Sequence, residues 1–423
     1  MNCDVLIIGG GVLGFSSAYY LKDWMPRKKI VVIDKLGGPG QGNSAKSEGA
    51  FRNVFSSKTN FLLADSTIDA FDHFQRNNGF NLNMNKLGYL WLFNDTQYQK
   101  LESVFKHMTE MGVETQILNK VKERVPGLVT QFDDEESSIL DLPPVNIGVK
   151  GVKCGSIDAD SLVRYYEQEF LRKGGEVYYN TEALNLLLEP ETPLGIPGEP
   201  FIWQDTEIKG AKTKVGEIRA NTTILALGVW SQKILNPIGI DGMMRPKKRH
   251  IFVFKHPNLD NLFKVKNLND YEALPLTILP KSGVYLKAEI SEKSIWVGCA
   301  DNLGRKFGLE DDPQPELDYY IDNIYHILVA YLPCFKDLRP TNMWAGQYAI
   351  NSFDGSPVVE SIPGFVYVGA VSGSGIMKSD ALGRITAAAC IEESTAPLFG
   401  EREIKVSDLG ITKRNVEREE FII

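Results

Sequence analysis

Cysteine and histidine are both scarce, five of each in 423 residues. Cys3, Cys154, Cys299, Cys334 and Cys390 form no C-x-x-C pair, and the histidines form no H-x-x-x-H pattern. That argues against a zinc signature and a disulfide framework, and reads as the reduced thiols of a cytoplasmic protein. A basic excess is missing too. With 46 Lys+Arg against 54 Asp+Glu and a net charge of −8, the chain has no positive field for nucleic acid, and no dense Lys/Arg stripe with interleaved aromatics stands in for one. No uninterrupted apolar run is long enough for a transmembrane segment. The first run, Val5 to Ile8, follows Asp4 and breaks at glycine, as a strand does and a signal peptide does not. Peripheral membrane contact is left open, because a surface-lying helix or loop leaves no such mark.

What is present is 43% hydrophobic content over a length that supports a large core and more than one domain. Asp4-Val-Leu-Ile-Ile-Gly-Gly-Gly-Val-Leu-Gly14 reads as a buried strand, a glycine turn and a helix start. Gly9, Gly11 and Gly14 fit G-x-G-x-x-G: one permits the turn, one lets backbone N–H groups approach a pyrophosphate, and one lets helix and strand pack closely. A second apolar run, Ile30 to Ile33, ends in Asp34, about 20 residues beyond the last glycine, where a carboxylate holds a ribose hydroxyl.

The Gly- and Ser-rich stretch from Lys35 to Gly49 reads as a loop that brings Ser44 and Ser47 near the phosphates. Periodicity predicts helices over 59–77, 96–111, 161–173 and 316–332, and a β-meander from Leu184 to Ala220. The acidic run at 133–136 reads as a solvated loop. Near the far end, the strand Phe365 to Val371, the loop Ser372-Gly-Ser-Gly375 and a helix over Met377 to Ile391 repeat the opening pattern. Both ends therefore contribute to one dinucleotide-binding domain, and the different composition of the middle points to a second domain on a largely antiparallel sheet.

Taken in order, the glycine fingerprint with Asp34, the loop through Ser44 to Arg52, Gly155-Ser-Ile-Asp158, Thr223-Ile-Leu-Ala-Leu-Gly-Val-Trp-Ser231, Trp344-Ala-Gly-Gln-Tyr348, Asp354-Gly-Ser-Pro357 and Ser372-Gly-Ser-Gly-Ile-Met-Lys-Ser379 resemble the D-amino-acid oxidase superfamily of FAD enzymes. That group holds glycine oxidase, sarcosine oxidase and the sarcosine and dimethylglycine dehydrogenases. The resemblance implies an α/β fold: a Rossmann-like, glutathione-reductase-type FAD-binding domain from residues 1–86, 147–235 and 341–423, and an α+β substrate domain from 87–146 and 236–340.

It further implies noncovalent FAD, since no cysteine falls between Trp344 and Ser379 where some relatives attach theirs. The implied phosphate and ribose contacts are Gly9, Gly11, Val12, Leu13, Gly14, Asp34 and Lys35. Ser44, Ala45, Ala183, Ala226, Gly228, Trp230 and Gly346 surround the remainder, and Gly373, Ser374, Gly375, Ile376, Met377 and Lys378 face the flavin. Arg52, His250, Tyr348 and Lys378 are the catalytic or substrate-binding candidates, although the motif departs from its relatives in placing Met377 where some carry a lysine, and Ser374 in place of a histidine.

Trp296 stands where sarcosine-oxidase-like members have a lysine that promotes reaction with oxygen. This favours a dehydrogenase feeding a quinone or an electron-transfer protein over an oxidase using oxygen. The expected reaction is oxidation of the C–N bond of a small amine or amino acid. Two alternatives stand beside it: a 2-hydroxy acid or polyol-phosphate dehydrogenase with His250 as base, and a low-turnover flavoprotein acting as an assembly or interaction factor.

Overall fold

The computed structural model describes residues 1–77, 79–300 and 306–421. Two large sheets organise them. In the first, the opening strand Asn2–Ile8 lies between Gly216–Leu225 and Ile30–Ile33, parallel to both. Glu176–Tyr178 extends the parallel set on one side and Phe365–Gly369 on the other, where Val358–Ile362 adds an antiparallel edge. The opening strand is in the middle because its four apolar residues, Val5 to Ile8, are buried on both faces, the signature of a parallel strand covered by helices on one side and further structure on the other.

On one face pack the helices Val12–Trp24, Lys58–Asn77, Ala159–Arg172 and Ser379–Cys390, which share a single apolar cluster. On the other, Gly216–Leu225 leaves the sheet as one strand of an antiparallel meander with Thr206–Thr213 and Ala183–Pro190, whose apolar residues pack against that face. Asp158 caps the Ala159–Arg172 helix by accepting from the N–H groups of Asp160 and Ser161, as a carboxylate at that position should.

The second sheet runs Asn342–Ile350, Arg245–Phe254, Ser294–Cys299, Val284–Glu289, Leu276–Ile278, Tyr89–Phe93, Ile147–Gly151 and Thr115–Leu118. Every neighbouring pair is antiparallel except Leu276–Ile278 with Tyr89–Phe93. Residues 147–151 and 342–350, expected to open segments of the FAD-binding domain, are thus strands of this sheet. Their alternation of small and large residues fits either sheet, and only pairing assigns them. The acidic run differs as well: Asp134 accepts from the Ser137 N–H and caps the short helix Glu135–Ile139. The far helix begins two residues later than expected, at Ser379, after a single 3-10 turn over Ile376–Lys378. Among the described residues no helix is long and apolar enough to cross a membrane.

Candidate active site

Between the carboxyl ends of the first sheet's strands and the face of the second lies a cavity of ≈ 870 Å3. Carboxyl ends of parallel strands are where open α/β sheets bind ligands. At one end of it the turn after Ile8 is held closely: a Cβ on Gly9, whose φ is +113°, would come within 2.5 Å of the Ala226 carbonyl oxygen. Gly11 meets only the Ser44 hydroxyl, at 3.3 Å, so its backbone is open toward the cavity. Asp34 is fixed by two backbone donors, Gly10 N–H at 2.7 Å on one oxygen and Leu36 N–H at 2.7 Å on the other. Lone pairs remain on both oxygens for a ribose hydroxyl.

Ser44 accepts from the Val12 N–H at 3.1 Å, so its hydroxyl completes the start of the Val12–Trp24 helix as well as facing the cavity. The loop carrying it is gripped from the second sheet by Gln347 N–H donating to Asn43 Oδ1 at 2.9 Å and by the Trp344 indole donating to the Lys46 carbonyl at 3.0 Å. Lys35 lies 5.1 Å above the Trp230 ring. At the opposite end, Ala370, Ser372 and Gly373 all take positive φ, 54°, 49° and 79°, a run that turns the chain sharply between strand and helix. Ser372 N–H donates to the Ala349 carbonyl and its hydroxyl accepts from Asn351 N–H, so this loop is locked to the second sheet.

Val12, Leu13, Lys35, Ala183, Ala226, Gly228, Trp230 and Gly346 line the cavity, as do Gly373 to Lys378, Arg52 and Tyr348. Three expected residues do not. Gly14 is one turn into the helix, where its α-carbon hydrogens face the Gly9 carbonyl and a Cβ would come within 1.8 Å of that oxygen; its role is packing. Ala45 turns to a separate, smaller hollow beside Trp344. His250 faces the far side of the second sheet, stacked between Phe252 and Tyr319 at 5.8 and 4.8 Å. Its neighbour Arg249 reaches the cavity instead, with a guanidinium that donates to the Ala300 carbonyl at 3.0 Å and lies 5.4 Å from the Tyr348 ring. The reason is strand parity: Arg245–Phe254 is buried on both faces for almost its whole length, so no polar-apolar alternation in the sequence shows which of two adjacent basic residues points inward.

Trp296 also stays out of the cavity. It packs edge-on against Trp344 at 4.9 Å, and the ammonium of Lys287, from the neighbouring strand, lies 4.1 Å over its ring. Lys287 donates to the Glu48 carbonyl at 2.7 Å and pairs with Glu289 at 3.2 Å.

Two groups of ionisable side chains remain, and both include residues that sequence reasoning missed. In the first, the Glu48 carboxyl accepts from the Tyr285 hydroxyl through one oxygen. Its other oxygen, Oε2, is buried with no hydrogen-bond partner among the described residues. Burial lifts the Glu48 carboxyl above the usual carboxylate range against the opposing pull of Tyr285 and Lys287, and burial pushes the Tyr348 phenol up to about 12. In the second group, Arg52 and Lys378 are 7% and 1% exposed. Arg52 donates to the Val54 carbonyl and lies 4.2 Å from the Phe55 ring. Lys378 donates to Asn60 Oδ1 at 2.7 Å and sits 4.6 Å from the same ring. Burial brings the Lys378 ammonium down to about 7; Glu419 opposes that shift and Arg52 adds to it. No motif marks Glu48, in a Gly/Ser-rich loop, or Glu419, in a patternless segment.

The family model for FAD dependent oxidoreductases (DAO) matches residues 4–389. The chain is 23% identical over 427 residues to FAD-dependent oxidoreductase domain-containing protein 1 of Xenopus laevis, covering 91% of this chain and 78% of that protein. It is 22% identical to glycine oxidase of Pseudomonas aeruginosa, covering 86% and 87%. Among solved structures, L-proline dehydrogenase from P. horikoshii superposes with a TM-score of 0.72 over 92% of each chain at 21% identity, a likeness of fold.

Proposed function

The chain belongs to the DAO family of FAD-dependent oxidoreductases, and from that premise we propose that it oxidises the C–N bond of a small amine or amino acid and passes the electrons to an acceptor other than oxygen. The observation that carries this reading is the charge layout of the cavity: two buried cations, Arg52 and Lys378, together with Arg249, and a carboxyl, Glu48, whose second oxygen is buried with no hydrogen-bond partner among the described residues. Bound FAD supplies the two-electron sink that accepts hydride from the substrate carbon. Gly9, Gly11 and Asp34 would hold its pyrophosphate and ribose, and the Gly373–Met377 loop its flavin end, where backbone donors and the following helix favour developing negative charge.

The remaining steps belong to the chain's own side chains. Arg52 suits a substrate carboxylate because its fork can donate to both oxygens, and Lys378 adds a point charge beside it. Phe55, Tyr89, Ile251, Leu276 and Ile278 wall the space between the charged groups and exclude water from it, which strengthens each charge interaction there. An ammonium must lose a proton before its carbon can release hydride. In this reading Glu48, which lines the cavity, takes it, and the raised pKa brings that carboxylate nearer to a useful basicity. The hydroxy-acid alternative needed His250 as base, and that ring faces away from the cavity. The names of the glycine oxidase and L-proline dehydrogenase relatives fit an amino acid. Lys287 is engaged by Glu48, Glu289 and Trp296 and does not line the cavity, which favours an acceptor other than oxygen.

The test is anaerobic mixing of the purified flavoprotein with N-methyl amino acids, D- and L-amino acids and 2-hydroxy acids while its visible absorption is followed. Bleaching by one or more amines is expected; bleaching by hydroxy acids alone would overturn the proposal. Reoxidation of the reduced protein by a quinone analogue should outpace reoxidation by air, and the reverse order would remove the acceptor part.

A further inference from the structure

Residues 412–421 have no regular structure, yet they close one side of the cavity. Arg414 anchors the segment through a paired contact with the buried Asp354 carboxylate, at 2.5 and 2.8 Å, which gives the Asp354-Gly-Ser-Pro357 motif a structural task. From there the chain passes Glu417, which accepts from the Lys58 N–H at 2.8 Å, and brings Glu419 and Phe421 into the wall.

Glu419 is 7% exposed and lies at the start of the 20-residue helix Lys58–Asn77. One of its oxygens accepts from the N–H and hydroxyl of Ser56, at 2.8 and 2.7 Å; the other accepts from Ser57 N–H at 3.3 Å and Asn60 Nδ2 at 3.1 Å. Asn60 turns its other side-chain atom, Oδ1, to Lys378 Nζ at 2.7 Å. A continuous chain of contacts therefore runs from a helix start, where a carboxylate is favoured, through Glu419 and Asn60 to the buried ammonium. The charged groups that face that ammonium are Glu419, which favours its proton, and Arg52, which opposes it. Without a counter-ion, two buried cations side by side would drive one of them neutral.

We propose that Glu419 is a positioning residue of the active site: carried in by the 412–421 segment, it keeps Lys378 cationic and holds it, through Asn60, in place for the carboxylate of the substrate. This rests on the reading of Arg52 and Lys378 as the carboxylate-binding pole.

The test uses benzoate as a plain carboxylate probe, with its affinity read from the perturbation of the flavin spectrum of the FAD-loaded protein across pH, so that no turnover is needed. In the wild type, benzoate affinity should fall as pH rises through the titration of Lys378, and Lys378→Met should abolish that inflection. Glu419→Gln should move the inflection down by at least about one pH unit, a tenfold change in the ratio of charged to neutral amine, while Glu419→Asp restores it. Ser56→Ala, which loosens Glu419 without touching Lys378, should shift it in the same direction by less, and it decides the matter if Glu419→Gln does not hold FAD. A wild-type inflection in both Glu419→Gln and Ser56→Ala overturns the role of Glu419 alone. A wild-type inflection in Lys378→Met overturns the carboxylate pole itself, and this proposal with it.

Discussion

Two glycines of the same fingerprint should respond in opposite ways to one added methyl group. A Cβ on Gly14 would stand 1.8 Å from the Gly9 carbonyl oxygen and 3.0 Å from its carbon. That oxygen belongs to backbone fixed between the opening strand and its parallel neighbours, because Gly9 N–H donates to the Ile33 carbonyl at 2.9 Å. The strain cannot pass into a side chain. Withdrawal to even 3.0 Å moves the Val12–Trp24 helix outward by about 1.2 Å, the difference between those two separations. That helix carries Phe15, Ala18 and Leu21, all fully buried, into the shared core. Overpacking that forces backbone movement costs at the upper end of the usual range, about 3 kcal/mol.

At Gly11 the same methyl meets only the Ser44 hydroxyl, at 3.3 Å, and φ is −82°, which any residue adopts. The loss of a good cap residue and the entropy removed from the unfolded chain act in opposite directions, so the net change should stay within about 1 kcal/mol. The methyl does, however, occupy the approach that a pyrophosphate needs. Urea unfolding of the flavin-stripped proteins, followed by FAD titration, separates the two effects. Gly14→Ala should lower the unfolding midpoint at unchanged slope, and Gly11→Ala should leave the midpoint near wild type yet weaken FAD by about tenfold or more. Equal midpoints for wild type and Gly14→Ala, or equal losses in the two variants, would refute the division of labour between packing and ligand approach.

Lys378 titrates near 7 in the folded protein against 10.5 for an ordinary lysine. Between those values the unfolded chain keeps a proton that the folded one has released, so stability should rise with pH, by at most about 1.4 kcal/mol per pH unit; Lys378→Met should flatten that rise in urea midpoints taken across the window. Glu48→Gln should lower the rate of anaerobic flavin reduction by about 10²-fold or more and remove the acidic limb of its pH profile, which in the wild type lies above the ordinary carboxylate range because burial raises Glu48; an unchanged profile would exclude Glu48 as the base. Gly373→Ala combines a φ of +79° with a Cβ 2.4 Å from the Tyr348 ring; it should cost about 1–2 kcal/mol for the backbone alone and, by displacing Tyr348, shift the bound flavin's spectrum and weaken carboxylate ligands.

The proposed cofactor half of the site is legible in the sequence because its geometry is local. The glycine turn, Asp34 and the loop before Ser379 each encode their geometry within a dozen residues, and the structure gathers them around one cavity. The substrate half was legible only in part. Arg52 and Lys378 lie next to recognisable motifs, whereas nothing in the sequence favours Arg249 over its neighbour His250, because a strand covered on both faces carries no alternation to read. That strands 147–151 and 342–350, expected within the FAD-binding domain, pair in the second sheet is illegible for a related reason: pairing partners that lie far away in sequence, such as Arg249 with Gly346, leave no local mark. Glu48 and Glu419 were invisible for another cause. Each is an ordinary acid in a loop, and burial against a particular partner, not sequence pattern, makes it unusual.

That difference follows from how the two halves are built. On the proposed reading the phosphate end would bind through backbone N–H groups and a helix start, so what the sequence must specify is the absence of side chains, and glycine does that openly. The proposed substrate end would bind through charges held out of water, and a buried charge persists only with a counter-charge or a donor nearby. Arg52 and Lys378 both sit at one wall; among the described residues Glu419 is the carboxylate whose charge acts on both, and it lies more than three hundred residues from Arg52 in the chain. A substrate carboxylate entering beside them would make the local balance two against two. Both oxygens of Glu419 are already engaged at that wall by Ser56, Ser57 and Asn60, so on the proposed reading the nitrogen end of the substrate should turn toward Glu48 and set the orientation of the C–H bond between the two poles.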